Sequence, residues 1–464
     1  MSDNNTKKTV GDNLNKKIKR KRWRNVAAVY VLLLLLSIVF MGPFVFGFMS
    51  SFKDDPTEWP PSLTSEQLNP SNWAGAYQLG QQGGGGGFFG EFQSDQTMSF
   101  NATYFYEEEM EIIPPDATVP ERTAGTGREA FDIDRRFAAN YLEVSQVQEI
   151  ERRNVENGTE VTYSFEIFNP SEHSFSRVPL NIQTEYGVQF VEGTIEPNRS
   201  ERLGMVQSWD NISAGVIPYI FNNYARVFRE HYDRSTGRAL FISWIRNSFI
   251  LATARVLTTI AFASMAGYAL ARLKFFGKNL IFFLVLFSMM IPLQVTFISN
   301  YLVLRDGIFG FTRLFGVNTL LNTFTGVVLW GMISGNSVFI MKQFFEGLPS
   351  SMEESARIDG ATTFQIFSKI MLPLAKPALG ALTVLTFQGA WNDFFMPLVV
   401  ITSPQEKFPL TVGLLSFRQA YGAGGFDWGP ILAGAVISAI PIIILFLVFQ
   451  RYFVEGISFS GMKG

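Results

Sequence analysis

The chain has 464 residues, of which 47% are hydrophobic and only 17% charged, with a mean hydropathy of +0.15. Soluble proteins carry about a quarter charged residues, so this composition excludes a disordered or solvating chain and points to a membrane. The net charge of −2 offers nucleic acid no basic face. The absence of Cys excludes disulfides, thiol catalysis and Cys-ligated metals, and two His are too few for a His-rich metal centre.

Residues 1–25 are polar and end in a basic cluster from Lys16 to Arg24, which reads as a cytoplasmic tail. Val26 to Ser50 follows as one apolar run. At 1.5 Å per residue, ~25 residues reach ~37 Å and cross a ~30 Å hydrocarbon core with some tilt. The run is too long for a signal-peptide h-region and lacks a small-residue cleavage site, so it is expected to stay as the first span.

The segment 51–243 is polar and reads as an outer domain. Within it, Gln81 to Gly87 has the composition of a flexible linker. Val161, Tyr163, Phe165 and Ile167 alternate with polar residues, which predicts a half-buried strand entered through an Asn157-Gly158 hairpin turn. Further short strands are expected at Leu180–Ile182 and Val188–Phe190, giving a small antiparallel sandwich over about 137–217.

Five more apolar stretches are expected to span: Asn247–Ala271, Leu280–Leu304, Leu320–Met341, Ala378–Ile401 and Pro430–Phe449. They form a transmembrane region over 244–449 with an inner loop at 347–376, and residues 450–464 read as a second cytoplasmic tail. Lys and Arg favour the segments that share a side with the N-terminus, so both ends are expected inside and 51–243 outside. A multi-pass protein of the cytoplasmic membrane follows. In span two, Ala263, Gly267 and Ala271 recur at every fourth position, which suits close helix packing.

The inner loop is the most informative stretch. Ser351 with Glu354 and Thr362 with Gln365 both have capping-box spacing, Gly360 is placed to stop the first helix, and Pro373 to end the second. A helix, a glycine corner and a second helix between two spans would move with those spans as a lever.

At these residues the sequence resembles the ABC importer permeases. Glu354-Ser355-Ala356, then Gly360, then Ile370 and Leu372-Pro373 look like that family's EAA motif, with Ser355 in place of the usual Ala. Asp359-Gly360-Ala361 and the Leu372-Pro373 exit resemble the carbohydrate branch, in particular the smaller permease subunit of maltose-type transporters. Asn247-Ser248, Tyr268 to Arg272, Trp391 to Phe394 and the C-terminal Gln450-Arg451-Tyr452 are similar to it as well. The resemblance implies an all-α transmembrane domain of six helices with the β-rich domain as an insertion. It also implies that Glu353, Glu354, Ser355, Ala356, Asp359, Gly360, Ala361, Ile370, Leu372 and Pro373 contact an ATP-binding subunit.

The chain has no G-x-x-x-x-G-K-[ST], so nothing in it is expected to cradle a nucleotide. The resemblance places ATP and Mg in two copies of a separate cytoplasmic subunit, so this chain is a transporter subunit and not an enzyme, with no cofactor of its own. A second, homologous permease and an extracytoplasmic sugar-binding protein are the other expected partners, besides membrane lipid.

Charges at membrane depth are rare and often functional. Counted from the inner face, Arg255 and Asp393 both lie ~25 Å up their spans, a depth that permits an ion pair. The alternative has Arg255 reaching the outer interface while Asp393 faces a water-filled cavity. Asp393, Asn392, Trp391 and Gln388 are candidates for lining a sugar path, with Trp391 stacking on a pyranose face or simply packing in the core. Gln294 and Asn336 are candidates of the same kind, or interhelical hydrogen-bond contacts. Two other functions fit the composition: an ion-coupled secondary transporter using Arg255 and Asp393, or a membrane-anchored receptor using the outer domain. Both leave the Glu354–Pro373 loop unexplained.

Overall fold

The computed structural model describes residues 3–53, 64–119, 142–145, 147–172, 174, 177–197, 206–229, 238–420 and 428–460. The chain divides into two compact units, which are described separately: residues 1–122 with 137–223, and the remainder.

The first unit opens with helix α1 (Asp3–Ser50), whose stretch 25–50 is apolar and mostly exposed until it ends at the buried Ser50. The β structure lies in two sheets. Strands β1 (Thr97–Glu107), β3 (Glu143–Val144), β4 (Gln148–Val155), β5 (Gly158–Phe168) and β7 (Gln189–Gly193) form one sheet. Strands β2 (Asp116–Thr118), β6 (Arg177–Gln183) and β8 (Val206–Ser213) form the other. Period-two alternation puts Met98, Phe100, Ala102, Tyr104 and Tyr106 of β1 on one face, opposite Ile167, Phe165, Tyr163, Val161 and Thr159 of β5. That face shares one core with Leu180 and Ile182 of β6, so the two sheets pack as a sandwich.

Three expectations need correction here. The β region begins at Thr97, about forty residues before the expected onset. The sequence of β1 interleaves polar Ser99, Asn101 and Thr103 with aromatics, and pairing on both sides by β5 and β7 makes it a central strand. The hairpin turns at Glu156-Asn157, since Gly158 already pairs with Val155 in the ladder. Asn157 takes the positive φ of 74°. Gly158 serves close packing instead, because a Cβ there would lie 2.2 Å from the Tyr106 carbonyl.

The glycine run is not a slack linker either. Helix Pro70–Gln82 leads directly into it, and a Cβ on Gly87 would fall 2.1 Å from the Tyr77 ring. The missing side chains let this backbone pack tightly. At the neck of the unit, the Asn223 amide donates to the Ser51 and Lys53 carbonyls at 3.0 and 2.7 Å. Asn72 donates to the Tyr219 hydroxyl at 3.2 Å.

The second unit is helical among its described residues. Helix α2 (Leu240–Arg272) is continuous. Helices α3 (Lys278–Met290) and α4 (Leu293–Arg305) meet at Pro292, whose missing N–H interrupts the ladder. Helices α5 (Phe324–Gly331) and α6 (Gly335–Gly347) are bent by 47°, with Ser334 capping α6 through the Ser337 N–H. Helix α7 (Ser351–Ile358) opens the inner loop, α8 (Lys376–Trp391) follows it, and α9 (Trp428–Ser460) ends the described chain. The expected span 378–401 is therefore broken: α8 stops at Trp391, Asn392 caps it, and a separate short helix covers Phe395–Val400. Among the described residues, three helices are long and apolar enough to cross a membrane, and up to six segments are if each bent pair counts once.

Candidate functional site

The inner loop is built from its own caps. Helix α7 is followed by Asp359, whose N–H bonds to the Ser355 carbonyl, and then by Gly360 at φ +79°. A β-carbon there would meet nothing within 4 Å, so backbone conformation alone selects glycine. The Thr362 hydroxyl then accepts from the Gln365 N–H at 3.3 Å, while the Gln365 side chain accepts from the Thr362 N–H at 2.8 Å. This is a complete capping box.

The box expected at Ser351 does not form. Ser350 precedes α7 with helical backbone angles and makes no side-chain cap bond. It therefore lacks the extended conformation that lets a side chain fold back on the first turn. Pro373 does not end the second helix either. The segment Phe367–Met371 winds as a π-helix, with the Leu372 N–H bonded to the Phe367 carbonyl. That wider turn takes up the proline, and the chain breaks at Ala375, where Thr363–Leu374 meets α8 at 76°.

Burial sorts the loop into two faces. Ala356, Ile366, Phe367 and Met371 are buried in one core with Ala263, Tyr268 and Leu270 of α2, Val338, Met341 and Phe345 of α6, and Ala378 and Leu382 of α8. Glu354, Ser355, Asp359 and Pro373 are exposed, and Ala361, Ile370 and Leu372 are half-buried. Three apolar side chains protrude beside them: Met352 at 46%, Ile358 at 86% and Phe364 at 70% exposure. Glu353 faces inward, with its carboxylate 3.7 Å from the Arg272 guanidinium.

Arg272 is the residue that sequence reasoning undervalued. In the sequence it only closes the stretch Tyr268 to Arg272 that resembles the family. In the structure its guanidinium donates to the Phe345 carbonyl, at 3.0 Å from Nε, and to the Leu348 carbonyl. It thereby ties the C-terminal end of α6 to α2 beside the start of the loop. A cation at the end of one helix, at the same depth as another helix's exposed carbonyls, was the available signal. Tyr268, one turn earlier, packs its ring 5.2 Å from that of Phe367.

The second cluster lies where α5, α8 and α2 come together. Arg255 Nη1 and Asp393 Oδ2 are 2.7 Å apart, and both side chains are mostly buried at 16% and 17% exposure. Gly331 makes room for this pair, because a Cβ there would sit 1.9 Å from Arg255 Nη2. The Thr411 hydroxyl donates to the Asp393 carbonyl at 2.8 Å, and the Thr259 hydroxyl to the Met332 carbonyl at 3.1 Å. The bend in the α5–α6 segment and the break after α8 are therefore both tied to this pair or to α2 beside it.

The remaining candidates separate. Trp391 is 2% exposed, stacked on Phe387 at 5.6 Å and edge-on to Phe249 at 4.8 Å, and its indole donates to the Ser438 carbonyl. Buried and packed against both phenyl rings, Trp391 takes the core-packing one of its two expected roles. Gln388, Asn392 and Asn336 are exposed. The side chain of Gln294 lies outside the described residues. Asn247 and Ser248 tie α2 to the loop before Leu410: the Asn247 amide donates to the Glu406 and Phe408 carbonyls, and the Ser248 hydroxyl accepts from the Leu410 N–H at 2.7 Å.

Comparison with known proteins identifies a family. Residues 260–459 match the model of the binding-protein-dependent transport system inner membrane component. The chain is 38% identical over 244 residues to an arabinooligosaccharides transport system permease protein of Bacillus subtilis, covering 53% of this chain and 79% of that one. It is 34% identical over 243 residues to a trehalose/maltose transport system permease protein of Thermococcus litoralis, covering 52% and 81%. A crystal structure of a bacterial ABC transporter involved in the import of the acidic polysaccharide alginate aligns with a TM-score of 0.41 at 28% identity, over 50% of this chain and 79% of that one. The chain belongs to the family of binding-protein-dependent transport system inner membrane components, and it is a permease subunit of the ABC importer type that carries a β-rich region.

Proposed function

We propose that this permease carries a sugar or oligosaccharide inward across the cytoplasmic membrane, as one half of a pore completed by a second, homologous permease. The observation that carries the reading is the two-faced inner loop. Its buried face, Phe367 and Met371 above all, is continuous with the inner ends of α2, α6 and α8. Its other face presents Met352, Ile358 and Phe364 beside Glu354 and Asp359. Apolar side chains ringed by charge are what a partner's cleft would grip. Two cytoplasmic ATP-binding subunits, holding ATP and Mg, would close on loops of this kind and rotate the spans.

In this reading six spans cross the membrane with both termini inside, and residues 51–243 lie outside, where a sugar-binding protein delivers cargo. The relatives named for arabinooligosaccharides and trehalose/maltose support a glycan as substrate. Asp393, Gln388, Asn392 and Asn336 are the polar groups offered to the path.

The test is reconstitution in vesicles with the co-purifying ATPase and binding protein. ATP-dependent uptake of labelled oligosaccharide is expected, together with a cysteine crosslink between position 358 and the ATPase. Uptake that persists without ATP under an ion gradient would refute the reading.

A further inference from the structure

Five Asn-x-Ser/Thr triplets with x other than Pro occur in the chain, and four of them fall in the segment 51–243: Asn101-Ala102-Thr103, Asn157-Gly158-Thr159, Asn198-Arg199-Ser200 and Asn211-Ile212-Ser213. From Tyr224 onward there are none. Such a triplet is an acceptor for N-glycosylation only where an enzyme can reach the asparagine amide, which means a surface loop outside the cytoplasm.

The structure separates the four. Asn101 lies in the middle of β1, which pairs on both sides, and its Oδ1 is buried. Asn211 lies within β8, and Asn198 falls outside the described residues. Asn157 is different. It occupies the second position of the two-residue turn between β4 and β5, at φ +74°, with its side chain exposed. The next residue is Gly158, which adds no side chain to block approach.

The surroundings also suit a glycan. Among the described residues strand β4 pairs with β5 alone, and every residue from Gln148 to Asn154 is exposed, Ile150 included at 56%. An open sheet edge of this kind invites pairing with other chains unless something covers it. A hydrophilic polymer attached at the tip of the same hairpin would shield it.

We propose that Asn157 is an N-glycosylation site, and that its glycan shields the β4 edge of the outer sandwich. The donor would be an oligosaccharide linked to a polyprenyl phosphate. The Asn157 Nδ2 forms the new bond to the sugar's C1, the C1–O bond to the phosphate breaks, and the polyprenyl phosphate leaves with the electron pair. The amide gives up one proton to a basic group of the transferase. Thr159 supplies the hydroxyl that the transferase reads. The inference rests on the outer placement of this unit proposed above, since the donor lipid and its transferase act on that side.

The experiment uses the full chain purified from its native membrane. Mass spectrometry of the peptide containing Asn157 is expected to show an added oligosaccharide. The addition should vanish in Asn157→Gln and Thr159→Ala and persist in Thr159→Ser. A peptide found only unmodified overturns the proposal. Sidedness is read separately, because the chain has no Cys. Glu156→Cys gives a single thiol on the same turn. Labelling of intact cells by a membrane-impermeant maleimide, with an unmodified Asn157, would sink the glycan and leave the topology standing. Labelling only after permeabilisation would sink both.

Discussion

At the scale of single residues, the two buried charge clusters make the sharpest predictions. Removing one member of a buried ion pair strands the other and costs about 3–5 kcal/mol, so Asp393→Asn and Arg255→Ala should each lower the thermal midpoint of the purified protein markedly. Gly331→Ala should do the same, because its Cβ would overlap the guanidinium. Placed in the Arg255→Ala background, however, it should cost much less, since the notch is then empty. Strict additivity of the two substitutions in thermal unfolding would argue against the seat described here. Arg272→Ala removes charge-assisted bonds to two carbonyls, each worth about 1.5–3 kcal/mol. Arg272→Lys, with a point charge in place of a fork, should recover only part of that loss. The positions of Arg255 and Asp393 were legible by counting residues from the inner face. That Gly331 admits the pair was not, because its partner is 76 residues distant in sequence and arrives only through packing.

At the scale of elements, the inner loop was read almost entirely from local chemistry. Thr362 with Gln365 and Gly360 are cap and corner residues whose partners lie within a turn, so sequence spacing suffices. Gly360→Ala should therefore impair coupling through backbone strain alone, about 1 kcal/mol. Gly360→Asn should be milder and Gly360→Val worse, read as uptake per ATP hydrolysed. Unchanged coupling in all three would remove the corner from the mechanism. What the spacing missed was that no capping box forms at Ser351, and the fate of Pro373, whose effect depends on a π-turn that no local rule announces. It also missed the faces of the loop: Phe364 and Phe367 are the same residue type three positions apart, yet one is 70% exposed and the other packs against Tyr268. The apolar knobs give one further expectation. Ile358→Asp should abolish capture of the ATPase while leaving the permease folded, as judged by gel filtration and an unchanged melting point.

At the scale of the whole molecule, the β sandwich carries its own signature with pH. Burial pushes the phenols of Tyr104, Tyr106 and Tyr163 above their ordinary value of 10.0. In the unfolded chain they ionise near that value, whereas in the folded unit they stay protonated. Unfolding therefore releases protons from these phenols only above about pH 10, so their contribution to stability is level below it and falls as pH rises beyond it. A spectrophotometric titration should show at least these tyrosines ionising late, together with loss of sheet by circular dichroism. Early, uniform titration of every tyrosine would contradict the packing. The sequence by itself determined the membrane character, the helix–glycine–helix loop and the existence of a β-rich insertion, because hydropathy, caps and alternation are encoded within a few neighbouring residues. Only the tertiary structure decided where the sandwich begins, that the glycine run is packed, that Trp391 belongs to the core and that Arg272 clamps a neighbouring helix. Each of those depends on atoms far apart along the chain meeting at contact distance, and the identity of the partner that arrives is a property of the fold.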